Sequence, residues 1–406
     1  MPRPVPARPP AWLLIYTAGL LGGTARIIHL LTQEPVRPRL RYAVVSAGGP
    51  PPSPPPAGMA EWPFVSVIVP ARDEARNLPK LLPSLLDQSY PPDRFEVIVV
   101  DDQSSDTSPE ILADFAARYP QLHVVRGTPL PAGWKGKPWA MHQGEQVARG
   151  EWLLFTDADT VHHPAGLASS VADAVEREVD LYTIAPCPVL SGPAERLIMP
   201  VVFLGIFTFF HPSFVNDPRS PIAIANGQYI LIRRGVYQAV GGVASVRADI
   251  AEDLEFGRLI KREGHRLYLT DGQELLQVRM YQNLGEVWEG WRKNVLLSMR
   301  KQPLMGLAQI GSIFAGGIIP FLLLGVYLAA ARRGRPGARA SAGLVGSQVA
   351  ILIVMKRAVD RLLGLPPVWA VTYPAGMVLF LLILLDSLRR LLSGEGVTWK
   401  GRAYTE

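Results

Sequence analysis

Residues 303–331 carry no charged side chain at all. A helix needs about 20 apolar residues to cross the hydrocarbon core of a bilayer, and this run exceeds that length. A chain that holds such a run must divide itself between membrane and water. Residues 366–386 form a second apolar run, ended by Asp386 and then Arg389-Arg390. Between the two, 341–359 is apolar but shorter and is broken by Lys356-Arg357. It reads as a third span or as a helix lying on or re-entering the membrane. Near the other end, 11–33 is apolar despite Arg26 and His29, and no cleavage site follows it. That pattern reads as an uncleaved anchor. Composition agrees with this division: 48% of residues are hydrophobic and only 19% charged.

Charge placement bears on orientation. Arg37, Arg39 and Arg41 follow the first apolar segment, and the basic-inside bias puts them in the cytoplasm. Trp399-Lys400-Gly401-Arg402 reads the same way, although the basic stretch 332–339 between two spans pulls against a simple pair. The expected location is the cell (plasma or inner) membrane, multi-pass, with the middle of the chain on the cytoplasmic face. A net charge of +6 suits anionic lipid or a phosphate-bearing ligand. No nucleic-acid partner is expected. Cys187 is the only cysteine, so there is no intrachain disulfide framework. Residues 34–61 form a linker, stiffened by the proline-rich run 49–58.

Residues 62–300 read as the soluble domain. Short β-branched runs at 64–69, 95–100, 122–126 and 152–156 alternate with helical periodicity at 78–86, 108–119 and 137–149. This order predicts a parallel sheet with helices on both faces, and ligands in such sheets bind beyond the carboxyl ends of the strands. One stretch breaks the soluble pattern. Residues 195–212 are apolar, with Phe203, Phe207, Phe209 and Phe210, and look too short to span comfortably. They read as a core helix or as a helix at the membrane surface.

The polar motifs sit where the sheet order puts a ligand. Asp157-Ala158-Asp159 follows the fourth strand, and two carboxylates one residue apart can present oxygens to Mg2+ or Mn2+ bridging a diphosphate. Asp101-Asp102 closes the second strand and can read base N–H groups or ribose hydroxyls. Pro70-Ala71-Arg72-Asp73-Glu74 closes the first, with Arg72 suited to phosphate. Gly133-Trp134-Lys135-Gly136-Lys137 precedes a helix, so Lys137 lies where anions bind well. Glu252-Asp253 opens a later helix, and Asp253 can act as a general base there. Each motif alone is equally well explained by helix capping or solvated charge.

Taken as an ordered set, these motifs resemble family 2 glycosyltransferases with the GT-A fold. The resemblance covers about residues 64–294. It implies that Pro70, Arg72, Glu74 and Asp102 contact the nucleoside. Lys137, Glu252 and Arg292 would serve the nucleotide-sugar, Asp157 and Asp159 the diphosphate and metal, and Asp253 would be the catalytic base. Asn226-Gly227-Gln228 matches the segment that lines the acceptor side. The chain lacks the Gln-x-x-Arg-Trp motif of processive polysaccharide synthases. Its Gly-Trp-Lys-Gly-Lys loop, the segment from Gly285 to Asn294 and the terminal Trp399 to Tyr404 are similar to the hopanoid-associated and carotenoid branch. The resemblance to that branch implies one sugar moved, with inversion, from a UDP-hexose to a lipid or isoprenoid hydroxyl or carboxyl group at the membrane. The rival readings are a polysaccharide synthase, a nucleotidyltransferase, and a non-catalytic membrane protein. A nucleotidyltransferase would carry a glycine-rich loop after the first strand, where Pro70-Ala71-Arg72 stands instead.

Overall fold

The computed structural model describes residues 8–32, 55, 59–249, 251–395, 397–399 and 402–404. The expected linker 34–61 and Arg37, Arg39 and Arg41 therefore lie almost wholly outside the described residues. The chain divides into two compact units.

In chain order the elements begin with helix α1 (Ala11–Thr32), then β1 (Val65–Ala71), α2 (Leu78–Leu86), β2 (Phe95–Asp101), α3 (Ser108–Arg118) and β3 (Leu122–Arg126). Next come α4 (Gly136–Val147), β4 (Trp152–Phe155), β5 (Thr160–His162), α5 (Gly166–Glu176), β6 (Leu181–Ala185) and β7 (Cys187–Pro188). Helices α6 (Pro193–Phe209) and α7 (Pro212–Val215) precede β8 (Ile230–Arg233), α8 (Arg234–Ala239), α9 (Glu252–Arg262), β9 (Leu267–Asp271) and β10 (Leu276–Val278). The rest is helical: α10 (Leu284–Lys301), α11 (Pro303–Ser312), α12 (Ile319–Arg332), α13 (Ala338–Leu362) and α14 (Tyr373–Ser393), closed by a hairpin of β11 (Val397–Trp399) and β12 (Arg402–Tyr404).

The first unit holds the chain up to Val189 after α1, and Phe210–Met280. Its seven-stranded sheet has the order β3-β2-β1-β4-β8-β6-β9. Strands β3, β2, β1 and β4 are parallel, as their alternation with helices requires. Strand β8 runs antiparallel to both β4 and β6, so the sheet as a whole is mixed. The chain reaches β8 by way of 216–229, at the carboxyl edge of the parallel strands, so it enters the sheet from that end. Both faces of the sheet are covered. Val65, Val67 and Val69 pack on one side with Leu81 and Leu85 of α2. Ile68 and Phe155 pack on the other with Ala140 and Met141 of α4. Strands buried on both sides read as near-continuous apolar runs, as these do.

The second unit holds α1, Leu190–Phe209 and the chain from Tyr281 onward. Among the described residues five helical segments are long and apolar enough to cross a membrane, all but the last residues of the second segment lying in this unit: Ala11–Leu30, Pro193–Val215, Pro303–Arg332, Ala338–Leu362 and Pro367–Ser393. Helix α6 clusters with the terminal helices, and no side chain fits at Gly376 of α14 because Leu197 O of α6 lies against it. Small residues allow this kind of close helix approach. Helix α13 runs unbroken through Lys356, the residue at which the apolar run breaks. Lys356 and Asp360, one turn apart, pair with each other in full burial. Helix α14 continues past Asp386, whose Oδ2 accepts Trp288 Nε1–H at 2.9 Å and lies 3.4 Å from Arg292 Nη1.

Candidate active site

Sheet register gathers the strand ends. Ala71 pairs with Asp101, and Phe155 pairs with Ile68. The turn after β4 thus leaves the sheet beside the last residues of β1.

The loops after β1 and β2 are sewn to each other. Asp102 N–H donates to Ala71 O at 2.7 Å, and Arg72 Nη1 donates to Asp102 O at 2.9 Å. Asp73 sits at φ +53°, a conformation asparagine and aspartate tolerate better than most residues. There its Oδ1 accepts from Ser105 N–H at 2.7 Å, while its own N–H donates to Ser104 Oγ. Glu74 is buried, accepts from Asn77 Nδ2 at 2.6 Å, and donates its N–H to Ser108 Oγ. Arg72, Glu74 and Asp102 are thereby brought together with Pro70 at one edge. Gly127, which no sequence motif marks, closes this edge. A side chain there would meet Asp101 O at 2.8 Å.

A second cluster forms around one ammonium. Helix α4 lies flush on β1 and β2, because Gly144 leaves no gap to Ile68 and Val100. Its start is tied down by Lys135 N–H donating to Arg247 O at 2.8 Å. Lys137, in the first turn, puts Nζ 2.7 Å from Asp157 Oδ1 and 3.1 Å from Glu252 Oε1. Asp253 is adjacent, and its Oδ2 accepts Gly227 N–H at 3.2 Å. A Cβ at Gly227 would lie 2.8 Å from Lys137 Nζ and 3.1 Å from Asp253 Oδ2. Burial alone would depress the Lys137 ammonium, but the carboxylates of Asp157, Glu252 and Asp253 hold it well above the ordinary lysine value. Burial pushes the Glu252 carboxyl up; Lys137 pulls it back, and Asp253 and Asp157 push it up again. Beside this cluster a crevice too tight to admit a water is lined by Met141, Phe155, Ile230 and Phe256 along with Gly227 and Asp253.

The turn carrying Asp157 and Asp159 is fixed from beneath. Thr160 Oγ1 donates to Asp157 O at 2.7 Å, and Thr156 Oγ1 donates to Gln228 O at 2.9 Å. Each hydroxyl has spent its one hydrogen, so the buried His162 Nε2, 3.0 Å from Thr156 Oγ1 and 3.2 Å from Thr160 Oγ1, must carry the proton. Asp159 O accepts Arg279 N–H at 3.1 Å. The matched threonines flanking the Asp-Ala-Asp triplet are the one sequence signal for this network. Arg292 belongs to the helical unit, where it pairs with Asp386.

Among the described residues no three His, Cys, Asp or Glu side chains form a metal-binding group. Asp157 and Asp159 supply two hard oxygen donors in one turn. That is how Mg2+ or Mn2+ is usually held by protein, with substrate phosphate and water completing the shell.

The seven-stranded sheet with its acidic strand ends defines the GT-A-type α/β class. It aligns at a TM-score of 0.51 and 19% identity with a mannosyltransferase from Pyrobaculum calidifontis solved with GDP-Man and Mn2+, over 94% of this chain and 97% of that one. Residues 66–241 match Glycosyl transferase family 2, and the chain carries an enzyme domain of that family. The 4,4'-diaponeurosporenoate glycosyltransferase of Staphylococcus haemolyticus is 29% identical over 240 residues, 57% of this chain. This chain spans about 60% of that relative's length. The Staphylococcus aureus (strain USA300) protein of the same name is 25% identical over 84% of this chain and 88% of its own.

Proposed function

We propose that the protein moves a single sugar, with inversion, from a nucleotide-sugar to a lipid or isoprenoid acceptor at a membrane. The observation that carries this reading is the meeting of Lys137, Asp157, Glu252 and Asp253 beside Gly227 at the strand ends. One cation among three carboxylates is a costly arrangement for a structural purpose, and strongly perturbed ionisable groups cluster at functional sites.

In this reading Arg72, Glu74 and Asp102 hold the nucleoside against Pro70 at the β1–β2 edge. Lys137 turns from Asp157 to the donor diphosphate. Asp157 and Asp159 hold Mg2+ or Mn2+, which when bound offsets the charge developing on the leaving diphosphate. Asp253 takes the proton from the acceptor hydroxyl, and that oxygen forms its bond to the anomeric carbon as the bond to the diphosphate oxygen breaks. Glu252, buried behind Lys137, keeps the ammonium aligned. The donor is proposed to be a UDP-hexose. The names of the relatives point to an apolar acceptor; a carboxylate acceptor, to which the "-oate" ending points, would attack as its anion, and only a hydroxyl acceptor would need Asp253 to take its proton. The five apolar helices support action at the membrane, with the α/β unit proposed on the cytoplasmic face.

Titration calorimetry on the full-length protein in detergent tests the donor. UDP should bind more tightly with Mn2+ than without, and GDP is the comparison because the Pyrobaculum structure holds GDP-Man. No binding of either nucleotide refutes the reading. Mass spectrometry of lipid extracts from a bacterial host, expressing wild type or Asp253→Asn, then tests the acceptor. A sugar-sized mass increase on one lipid class should appear with wild type alone.

A further inference from the structure

The last turn of α9 holds a side chain that neither the β1–β2 edge nor the Lys137 cluster uses. The Lys261 ammonium is ringed by four backbone carbonyls: Val215 O at 2.8 Å, Asp217 O at 2.8 Å, Ser220 O at 3.0 Å and Ile222 O at 2.8 Å. An ammonium has three hydrogens and accepts nothing, so its donor capacity is consumed by one loop. Beyond Val215 that loop has no helix or strand of its own before β8. Lys261 therefore fills it as a bound cation would. Asn216 fastens the same loop to β9, its amide donating to Leu269 O at 2.9 Å and accepting Leu269 N–H at 2.7 Å.

From the loop, 222–228 runs back toward the start of α9. Gly257 has no room for a side chain, since a Cβ would meet Ala225 N at 2.6 Å and Ile224 C at 2.9 Å. At the helix start Asp253 Oδ2 accepts Gly227 N–H at 3.2 Å. Residues 253, 257 and 261 are four apart, so they share one face of the helix. That face is zipped to one strap at three levels: a cation lock, a close backbone contact, and the acidic group beside the crevice. The locks at the two ends are about 12 Å apart along the axis, at 1.5 Å per residue.

We propose that Lys261 is a positioning residue for the transfer reaction. By holding 215–222 it sets the register of the strap against α9, and with it the placement of the Asp253 carboxylate against Gly227. This rests on the role proposed for Asp253. Arg72, Glu74 and Asp102, proposed for the nucleoside, lie outside the zipper, so UDP binding should suffer less than turnover.

The test uses the full-length protein with Lys261→Met, which keeps the stem, and Lys261→Ala, which opens the carbonyl ring to a small cation. Turnover is read as UDP release from UDP-glucose in the presence of bacterial lipid extract. Both variants should lose about 10- to 100-fold in kcat, the scale of misplacing a reacting group by about an ångström. Donor KM and the Kd for UDP should stay within about twofold. Methylammonium should restore part of the activity of Lys261→Ala and none of Lys261→Met. Amide exchange should speed up across 222–228 in Lys261→Met and stay unchanged in β1 and β2. Wild-type kcat in Lys261→Met overturns the proposal. So does an equal loss of kcat and UDP binding without rescue, which would mark general unfolding. If Asp253→Asn keeps turnover, the base assignment falls separately. The lock is then judged on exchange alone, and unchanged exchange across 222–228 overturns it.

Discussion

His162 makes the α/β unit acid-sensitive in a calculable way. Burial pushes its imidazole down to about 3 from the ordinary 6.5, and it sits neutral beneath the Asp157–Asp159 turn. The folded pKa lies below the unfolded one, so only the unfolded chain takes up this proton between the two values. Stability is intact above pH 6.5 and falls as pH drops toward 3. The slope is about 1.4 kcal/mol per pH unit, so between pH 6.5 and 5 the unit loses about 2 kcal/mol through this residue. His162→Gln removes the titration while an amide N–H can still reach Thr156 Oγ1. Opening free energies of β4, from amide exchange of the full-length protein at pH 7.5 and 5 and corrected for intrinsic rates, read the difference. The variant should lose about 2 kcal/mol less than wild type over that interval. Equal losses in the two proteins would refute the argument and mean that the imidazole is hydrated or paired with an acid in solution.

Three further outcomes are expected from the site. Lys137→Met leaves Asp157, Glu252 and Asp253 without their cation and the diphosphate without its partner; UDP affinity by calorimetry should fall about 10- to 100-fold, the scale of a charged hydrogen bond. Gly227→Ala presses on Lys137 Nζ, the free end of a flexible side chain, so the fold should survive while UDP release falls at least about tenfold. Gly257→Ala presses instead on the backbone of Ile224 and Ala225, which cannot swing away, and should cost about 1–3 kcal/mol in the unfolding free energy of the α/β unit.

Much of the α/β unit was legible because its strands are buried on both faces and end in residues that cannot continue them. The apolar runs before Arg72, Asp102 and Asp157 are of this kind, and the helices between them carry a clear 3.6-residue period. The direction of β8 was not legible. Its four residues, Ile230 to Arg233, fit either direction, and the choice is made by the path of 216–229, which has no period to read. Helix α6 has the composition of a core helix and of a span alike, and only its neighbours distinguish them. In α13 the spacing of Lys356 and Asp360 did carry information. Oppositely charged residues four apart can neutralise each other within a helix, so the charge at Lys356 did not have to end the apolar segment.

The acidic cluster and the Lys261 ring mark the two limits of reading a site from sequence. A carboxylate at a helix start is a common choice, so Asp157, Glu252 and Asp253 could be picked out only as members of an ordered set of motifs. Their convergence on Lys137 was not legible, because Glu252 and Asp253 follow β8, whose direction the sequence does not set. The ring around Lys261 is made of carbonyls that every residue possesses. Nothing in Val215, Asp217, Ser220 or Ile222 as side chains announces that their backbones will meet one ammonium. What the sequence does hold is the spacing of Asp253, Gly257 and Lys261, an acid, a gap and a cation on successive turns of one helix. Such a face is uneven in charge and bulk, and it fits only a strap that offers an N–H at one end, bare backbone in the middle and a turn of carbonyls at the other. Read from Gly227 back to Val215, the chain offers these in that order, so the same helix that presents the acid also dictates the shape of the chain beside it.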